Sequence, residues 1–456
     1  MKLTVDVFKL SILMGFSTIA ACSGTSRYPN DSSVNVPALV PANSALTKDV
    51  AQAPSTMGLQ SVTSSLGRIG LFQVFDSLMT AAQRTAAGPR YDLVWGAKYP
   101  PSQWSVNHPS IVTTLYSALE NSDSSHDLAY YKTYHPDWIL YNCTANGTPT
   151  HVIAYMGSGT AVPLDIHNPA VVNFQVRTLK VPPAIAGGYN ALAIDQVVFR
   201  NFMGGNAGSG SYACGVWENT RFVKHYTSKT DTHWALDVVN WFKAAKNILS
   251  TDPVIAPHHL KLVINHPASD IAGAYEQQLL ANVDGSLSEV GFSDYGNYKY
   301  LPELFKTALD YMMYAQAHGV TALAIDKFVQ ATPLTPVQRE WAVATYLMAN
   351  NGNAFLFATY SGRGKRGYDL LNYYPEYDSN IGKPCGAVTG GPVLYERKFQ
   401  NGLVVVNPSM SKVSMALSPS QTKYRDIEGR AVSNPLIAPA TDAFVLLAPV
   451  IGTGCR

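Results

Sequence analysis

Three short apolar runs, each carrying a carboxylate, constrain the fold of this chain more than any other feature. They are YNALAIDQVVF at 189–199 with Asp195, GSLSEVGF at 285–292 with Glu289, and TALAIDKF at 321–328 with Asp326. Apolar runs without alternation are typical of strands buried on both faces, as in a parallel sheet. A carboxylate at the tip of such a strand lies where α/β barrels place their chemistry, although it can also cap a turn or pair with a base.

Strand and helix patterns alternate from about residue 90 to residue 361. Predicted strands lie at 91–95, 111–117, 138–141, 151–156, 162–166, 191–195, 261–265, 285–292, 321–328 and 354–359, and predicted helices at 65–86, 168–180, 234–249, 275–281, 302–318 and 335–348. Such alternation requires a parallel sheet, and its length fits a (β/α)8 TIM barrel, with a doubly wound sheet as the alternative. No GxGxxG follows the first of these strands, which removes the usual nucleotide-binding interpretation.

The pattern changes near residue 391. Residues 393–397 and 402–407 predict two strands joined at Gln400-Asn401-Gly402, and further short strands are predicted at 414–417, 424–426 and 443–448. Short strands with frequent turn signals favour an antiparallel sandwich. The predicted fold class is therefore α/β, a (β/α)8 TIM barrel over 59–390 followed by a small C-terminal antiparallel β-sandwich over 391–456.

The first 58 residues have the composition of an export and anchoring segment. Lys2 and Lys9 precede an apolar stretch at 10–21 that is too short to span a bilayer, so residues 1–21 are interpreted as a cleaved signal peptide. Residues 18–22 (TIAAC) resemble the lipobox of bacterial lipoproteins, which implies lipidation of Cys22 and, with Ser23 next, an outer-membrane location in the cell envelope. Residues 22–58 are rich in Ser, Pro, Ala, Asn and Thr, which predicts a flexible tether.

Charge and cysteine content narrow the partners of the chain. The net charge is +2 without a basic run, so nucleic acid is not an expected partner. Four cysteines remain besides Cys22, and an even number in an exported chain permits two disulfides with three pairings. We favour Cys143–Cys214, expected in loops on one barrel face, and Cys385–Cys455. The cysteine spacing contains no zinc signature, and we expect no metal, no cofactor and a monomer.

Several motifs together resemble a family of hypothetical bacterial glycoside hydrolases related to endo-α-1,4-polygalactosaminidase-like barrels. They are HPDWILY at 135–141, LDIHNP at 164–169, the strand that ends at Asp195, VDGSLSEVGF at 283–292, and the tail segments RKFQNGLVVVNPS and YRDIEGR. The resemblance covers about 90–450 and implies a TIM barrel with a closing β-domain. It also implies that a fourth-strand Asp and a sixth-strand Glu form the catalytic pair, with Asp195 as nucleophile or base and Glu289 as acid.

The same pair follows from the chemistry of glycoside cleavage. That reaction needs two carboxyl groups flanking the scissile bond. Asp195 and Glu289 end two strands separated by the strand at 261–265, and alternate barrel strands point across the same mouth. The sequence leaves their separation open, and with it the choice between retention and inversion.

Other polar and aromatic residues near the predicted strand tips are candidates for substrate binding, each with a plain structural alternative. Asp165 and His167 could hold sugar hydroxyls or cap the next helix, and Asp326 could instead form a salt bridge with Lys327. The remaining candidates are Asn265 and His266, which follow a strand, and Tyr116 and Trp217, which could stack on sugars.

These features predict a membrane-anchored glycoside hydrolase acting on a cell-surface or extracellular polysaccharide. The alternative is a non-catalytic carbohydrate-binding envelope lipoprotein that keeps the barrel. A metal-dependent hydrolase, such as a deacetylase, lacks a clear set of His and Asp ligands in the sequence.

Overall fold

The computed structural model describes most of the chain after residue 67. The described residues are 68–104, 110–120, 122, 126–156, 161–204, 211–296, 302–361, 367–368, 371–452 and 454–455. The signal peptide at 1–21, the lipidation site Cys22 and the tether at 22–58 lie outside them.

Strands and helices are numbered here in chain order. The strands are β1 (Phe72–Val74), β2 (Leu93–Trp95), β3 (Val112–Ala118), β4 (Tyr141–Cys143), β5 (Pro149–Ile153), β6 (Ala191–Asp195), β7 (Tyr212–Glu218), β8 (Arg221–Lys224), β9 (Lys261–Asn265), β10 (Gly285–Ser288), β11 (Thr321–Phe328), β12 (Ala354–Tyr360), β13 (Thr389–Gly390), β14 (Tyr395–Phe399), β15 (Gly402–Asn407), β16 (Val413–Met415), β17 (Leu436–Ala438) and β18 (Asp442–Leu447). The α-helices are α1 (Ala81–Ala87), α2 (Leu128–Tyr134), α3 (Pro169–Phe174), α4 (Val181–Ala186), α5 (Thr232–Thr251), α6 (Glu276–Leu280), α7 (Pro302–Ala317) and α8 (Pro336–Ala349).

Eight parallel strands form the central sheet, in the order β1-β2-β3-β6-β9-β10-β11-β12. Leu71, next to β1, pairs in parallel with Leu356 of β12, and the Leu356 N–H donates to the Gly70 carbonyl. This contact closes the sheet into a barrel and confirms the predicted (β/α)8 fold. Asp195 ends the fourth barrel strand and Glu289 follows the sixth, the positions that the family resemblance implied for the pair.

The first barrel strand lies where the sequence pattern predicted a helix at 65–86. The structure places β1 there, and α1 begins only after Thr80, whose side chain and that of Gln83 form a reciprocal capping box. The prediction was wrong because Phe72 and Val74 point into the barrel while Leu71 packs on the helix layer. A buried strand of only three residues that lies a few residues before a helix is too short to show a strand pattern of its own in the sequence.

A second correction concerns the predicted strands at 138–141, 151–156 and 162–166. They are not barrel strands: β4 and β5 join β7 and β8 in an antiparallel sheet of order β5-β4-β7-β8, called here the side sheet. Residues 162–166 contribute only an isolated bridge between Leu164 and Ile139. Much of β5 is exposed to solvent, unlike the doubly buried barrel strands, which fits its place at the edge of a sheet.

Two helices begin at the Asn-Pro and Thr-Pro steps where the sequence predicted them, α3 after Asn168 and α8 after Thr335. The Asn168 side chain accepts from the Ala170 N–H with Pro169 at the first helical position, and α3 continues through a π-helical segment (Gln175–Lys180) into α4. In α5, the predicted apolar face is buried against the barrel, including Trp234 and Trp241. Burial of this stripe accounts for the stability of the helix in water.

The C-terminal region forms two antiparallel sheets, of order β13-β14-β15-β18 and β16-β17. Leu403 and Leu446 of the larger sheet pack with Leu436 of β17, which confirms the predicted small sandwich. The opposite face of the larger sheet packs on α8 through residues such as Val404. Arg397 donates to the Leu347, Met348 and Asn350 carbonyls and so caps the C-terminal end of that helix.

Both favoured disulfides are present, Cys143–Cys214 and Cys385–Cys455. The argument for the first pair needs correction, because Cys143 and Cys214 lie on the neighbouring strands β4 and β7 of the side sheet rather than in loops. Within the described ranges, no helix combines the length and the apolar character needed to cross a bilayer.

Candidate active site

A polar cluster lies at the C-terminal mouth of the barrel, at the tips of three consecutive strands. Asp195 and Asn265 are the last residues of β6 and β9, and Glu289 directly follows β10. Asp195 is only 2% exposed and the Glu289 side chain 12% exposed. The mouth therefore presents two nearly buried carboxyl groups to the same space.

The amide group of Asn265 joins the two carboxylates. Its Nδ2 donates to Asp195 Oδ1 at 2.9 Å and to Glu289 Oε2 at 3.2 Å. Two bonds of these lengths from one nitrogen keep the two carboxylate oxygens within about 6 Å of each other, close to the separation found between paired catalytic carboxyl groups. Asn265, a candidate for substrate binding, thus lies between the two proposed catalytic residues.

Asp195 has donors on both of its oxygens. Tyr116 donates its hydroxyl to Oδ2 at 2.7 Å, and the Gln196 N–H donates to Oδ1 at 2.8 Å, beside the bond from Asn265. Burial and then the nearby charge of Glu289 raise the pKa of Asp195, while these three hydrogen bonds oppose the increase. Tyr116 is thereby brought into the site as a hydrogen-bond donor as well as an aromatic surface.

Glu289 is held by a different pair of side chains. The Tyr368 hydroxyl donates to Glu289 Oε1, and Lys327 Nζ lies 3.7 Å from the same oxygen. Lys327 also donates to the Tyr368 hydroxyl, and its ammonium lies 4.3 Å from the centre of the Tyr368 ring. With Lys327 only 5% exposed, an ammonium charge adjoins the carboxyl pair inside the barrel mouth.

Aromatic side chains form one wall of the mouth. Trp95 stands edge-on to Tyr116, with ring centres 5.7 Å apart, and Phe75 contacts both rings at 5.6 and 5.7 Å. Tyr368 lies edge-on to Phe75 at 6.3 Å. We call these four residues the aromatic wall; they lie beside the carboxyl pair because Tyr116 and Tyr368 each donate to one of its members.

Backbone strain is located at the same strand tips. Phe75, directly after β1, has φ of 52°, and Gln196, directly after Asp195, has φ of 66°. Residues other than glycine seldom adopt positive φ, and such positions cost free energy that the surrounding structure must offset. At Gln196 the strained conformation turns its N–H back to the Asp195 carboxylate.

Two predicted site residues face away from the mouth. Asp326 and His266 each neighbour an inward-pointing residue, Lys327 and Asn265, so strand alternation directs them to the helix layer. Asp326 accepts from the Phe292 N–H at 2.7 Å, and His266 pairs with Glu276 of α6 at 3.0 Å. The structure therefore does not bring Asp326 and His266 together with Asp195 and Glu289 at the mouth.

Asp165 and His167 lie at the joint between the side sheet and α5. His225, directly after β8, contacts Asp165 at 3.2 Å, and His167 Nδ1 contacts Asp237 of α5 at 3.0 Å. The two imidazole rings are 4.4 Å apart. These contacts link the inserted sheet to the helix layer and support the structural alternative for both residues.

Trp217 also lies outside the cluster, on β7 of the side sheet. Its ring stacks on His151 of β5 at 4.2 Å, and its Nε1 donates to the Thr150 carbonyl at 3.0 Å. The structure places these contacts within the side sheet, so a role in sugar stacking at the mouth is not supported by position.

Sequence reasoning missed Lys327 and Tyr368 as members of the site. Lys327 entered only as a partner of Asp326, because an uninterrupted apolar strand does not reveal which of two consecutive polar residues points inward. Tyr368 follows Gly367, whose φ of 72° and close approach to the Tyr360 carbonyl require glycine. The Gly367-Tyr368 step after the last barrel strand was the sequence signal that could have indicated a tight turn placing Tyr368 at the mouth.

The donor set of the site suits hydrogen bonding and proton transfer. Across the parts of the chain that the structure describes, no group of three or more His, Cys, Asp or Glu side chains could hold a metal ion.

Comparisons with known proteins were made by family, sequence and structure. No family model matches the chain, and no curated protein matches it in sequence. A trehalulose synthase mutant in complex with Tris is similar in structure with 8% identity and a TM-score of 0.46, over 83% of this chain and 99% of that one. An isomaltulose synthase mutant from Erwinia rhapontici in complex with D-glucose gives 8% identity and a TM-score of 0.47, over 83% and 98%.

A cycloisomaltooligosaccharide glucanotransferase from Paenibacillus sp., complexed with cycloisomaltoheptaose, is more distant. It gives 9% identity and a TM-score of 0.36, over 84% of this chain and 56% of that one. Likenesses this weak carry no argument about the function of this chain, which is argued from its own site.

Proposed function

We propose that this protein is a glycoside hydrolase that cleaves a polysaccharide with Asp195 and Glu289 as its catalytic carboxyl groups. The observation that carries the proposal is the amide of Asn265, which donates to both carboxylates. Glycoside cleavage needs one carboxyl group to protonate the leaving oxygen and another to attack the anomeric carbon or activate water. A bridged pair of buried carboxyl groups at a barrel mouth supplies both.

The short separation of the pair supports a retaining mechanism. Retaining enzymes hold the two carboxyl groups about 5–5.5 Å apart, whereas inverting enzymes separate them by about 6.5–9.5 Å to admit a water molecule. The two oxygens bridged by Asn265 lie within about 6 Å of each other. In a retaining reaction, one carboxylate forms a covalent glycosyl intermediate and the other first donates and then removes a proton.

We assign Asp195 as the nucleophile and Glu289 as the acid and base, as the family resemblance implies. Three donors fix both oxygens of Asp195 and oppose its protonation, which suits an oriented nucleophile. Burial and the nearby charge of Glu289 raise the pKa of Asp195, and the hydrogen bonds from Tyr116, Gln196 and Asn265 oppose that increase.

Azide rescue separates the two roles. We expect Asp195→Gly with azide to form a glycosyl azide of inverted anomeric configuration, because azide replaces the attacking carboxylate. We expect Glu289→Ala with azide to form a glycosyl azide of retained configuration, because Asp195 still forms the intermediate. Product configuration is read by NMR, and the opposite pattern would reverse the assignment.

The aromatic wall supports a sugar as the substrate. Aromatic rings present apolar faces that can cover the apolar face of a pyranose, while polar groups beside them fix its hydroxyls. Within the wall Trp95 and Tyr368 are buried, so the rings that a sugar could contact are those of the partly exposed Phe75 and Tyr116, which lies beside Asp195.

The decisive experiment is a panel of polysaccharides, including amino-sugar polymers, assayed for released reducing ends. We expect one or more to be cleaved by the wild type, and Asp195→Asn and Glu289→Gln to lower turnover by orders of magnitude with folding retained. Glu340→Gln is the matched control, because Glu340 is a buried carboxyl on α8 that contacts the C-terminal sheet rather than the site. If the wild type binds a glycan but cleaves none of the polysaccharides, the non-catalytic carbohydrate-binding protein is supported instead.

The setting of this activity is proposed from the sequence. The lipobox-like TIAAC segment and the Ser-rich tether support a chain anchored through Cys22 to the bacterial outer membrane, with a cell-surface or extracellular glycan within reach. The anchor and the identity of the glycan are independent of the catalytic proposal, and each has its own test.

A further inference from the structure

Asp326 is a buried carboxyl group to which the proposed mechanism gives no part. It is 0% exposed and lies on the outward face of β11, between the barrel and α8. Its Oδ1 accepts the Phe292 N–H at 2.7 Å, and its Oδ2 faces the Thr345 hydroxyl of α8 at 3.4 Å. Hydrogen-bonding groups of Ser293 also favour the charged form of Asp326 and so lower its pKa, while the Ser293 hydroxyl donates to the Lys327 carbonyl at 3.3 Å.

Phe292, whose N–H donates to Asp326, belongs to the turn that follows Glu289. The chain leaves β10 at Ser288, passes Glu289, and reverses at Gly291, where φ is 53°. A Cβ atom at Gly291 would lie 2.6 Å from Asp326 Oδ1, so the turn packs directly on this carboxyl group. The Phe292 carbonyl is held from the other side by Trp341 Nε1 of α8 at 3.2 Å.

We infer that Asp326 is a positioning residue that fixes the Gly291–Ser293 turn and, through it, the carboxyl group of Glu289. Strand β11 then controls Glu289 from both faces, because Lys327 contacts its side chain inside the barrel and Asp326 holds its backbone turn outside. The expected effect of Asp326 on catalysis rests on the proposed function. The expected effect on the order of the turn is independent of that function.

Burying the carboxyl group of Asp326 costs free energy, and its hydrogen bonds to the turn offset part of that cost. Burial raises the pKa of Asp326 to about 7, against the donors at Phe292, Ser293 and Thr345, which favour the charged form. An apolar side chain would avoid that cost but would leave the Phe292 N–H buried without an acceptor. Catalytic groups must be held within about 0.5 Å of their working geometry, which gives such a fixed turn its value.

The test compares Asp326→Asn and Asp326→Ala with the wild type, and uses Glu340→Gln as the matched control. Glu340 is also a buried carboxyl group with its pKa raised to about 7 by burial, and it also accepts one backbone N–H, from Val445, but it anchors the C-terminal sheet. The first readout is amide hydrogen exchange of peptides covering 289–294. The second is kcat and KM on the glycan cleaved by the wild type.

We expect exchange at 289–294 to rise at least about tenfold in Asp326→Ala and less in Asp326→Asn, which keeps one acceptor oxygen, with no change in Glu340→Gln. We expect kcat to fall in the same order, by up to about 10²-fold, with KM nearly unchanged, because the turn aligns a reacting group.

Unchanged exchange at 289–294 in both Asp326 variants would overturn the inference. So would a fall in kcat that Glu340→Gln shares, because that would reflect general destabilisation. If no glycan is cleaved by the wild type, the proposed function fails while the exchange result still decides the positioning role. If Asp326→Ala does not fold, the exchange and kcat of Asp326→Asn decide it.

Discussion

At the scale of single residues, the position of a side chain in the strand alternation decides whether it can act. Asp195, Asn265 and Lys327 point into the barrel mouth, whereas their neighbours His266 and Asp326 point to the helix layer. Both groups follow apolar strands and read alike in the sequence. Their functions differ because the pleat sends consecutive side chains to opposite faces.

Asn265 gives the sharpest test at this scale. Asn265→Ala removes the donor that both carboxylates share, so we expect kcat to fall about 10²-fold through loss of alignment, with the free energy of unfolding changed by less than about 2 kcal/mol. Steady-state kinetics and urea unfolding measure the two quantities. Activity within twofold of the wild type would show that the bridging amide has no role in catalysis.

At the scale of secondary-structure elements, the sequence predicts the strands that are buried on both faces. It does not predict β1 or the side sheet, because their place depends on which strands they pair with. The strand ending at Asp195 and the helix opening at Asn168-Pro169 carry local signals, an apolar run and a cap, and both lie where predicted. Strand β1 was missed because three buried residues before a helix cap resemble a helical turn. The side sheet was assigned to the barrel because strand patterns do not specify which sheet a strand joins.

The same limit applies to the candidate site. Asp195 and Glu289 could be paired in advance because strand order alone brings alternate strand tips to one mouth. Tyr368 could not, because it enters the site from a loop after the last barrel strand, where no period fixes its direction. The inward face of each strand, which separates Lys327 from Asp326, depends on barrel closure and therefore on contacts distant in sequence.

The Cys143–Cys214 bond provides a prediction for the side sheet. It joins β4 and β7 across 71 residues of sequence, and removing a bond that closes a loop of this kind typically costs about 2–4 kcal/mol. We expect the double variant Cys143→Ala/Cys214→Ala to lose stability in this range and to show faster amide exchange in residues 141–153 and 212–224. Calorimetry and exchange measure these effects. Exchange that rises equally across the barrel strands would contradict a local role.

At the scale of the whole molecule, an anchored barrel is expected to act near the surface that holds it. We expect Cys22→Ala to move the protein from the membrane fraction to the soluble fraction, because lipidation at Cys22 would be its attachment. Fractionation with metabolic labelling by a fatty acid tests both the location and the modification. Cys455→Ala, which also removes one cysteine, is the control, and membrane association that persists without Cys22 would refute the anchor.

Buried carboxyl groups should make the stability of the whole molecule depend on pH in an unusual direction. Glu120 is 0% exposed, neither of its oxygens has a hydrogen-bond partner in another residue of the described chain, and burial raises its pKa from 4.5 to about 8. Asp326 and Glu340 have pKa values raised to about 7 by burial. Between the unfolded and folded pKa values the folded protein holds protons that the unfolded chain has lost, so stability falls as pH rises.

Glu120→Gln tests this directly, because the amide keeps the shape of the side chain and cannot ionise. We expect the free energy of unfolding of the wild type to fall between about pH 5 and about pH 8, and that of Glu120→Gln to fall less, by at least about 1.4 kcal/mol, the equivalent of one unit of pKa difference. Part of the slope should remain in the variant, because Asp326 and Glu340 still titrate. Urea unfolding at several pH values measures the slopes, with the exposed Glu303→Gln as the control. Parallel curves for Glu120→Gln and the wild type would show that burial does not hold Glu120 neutral in the folded protein.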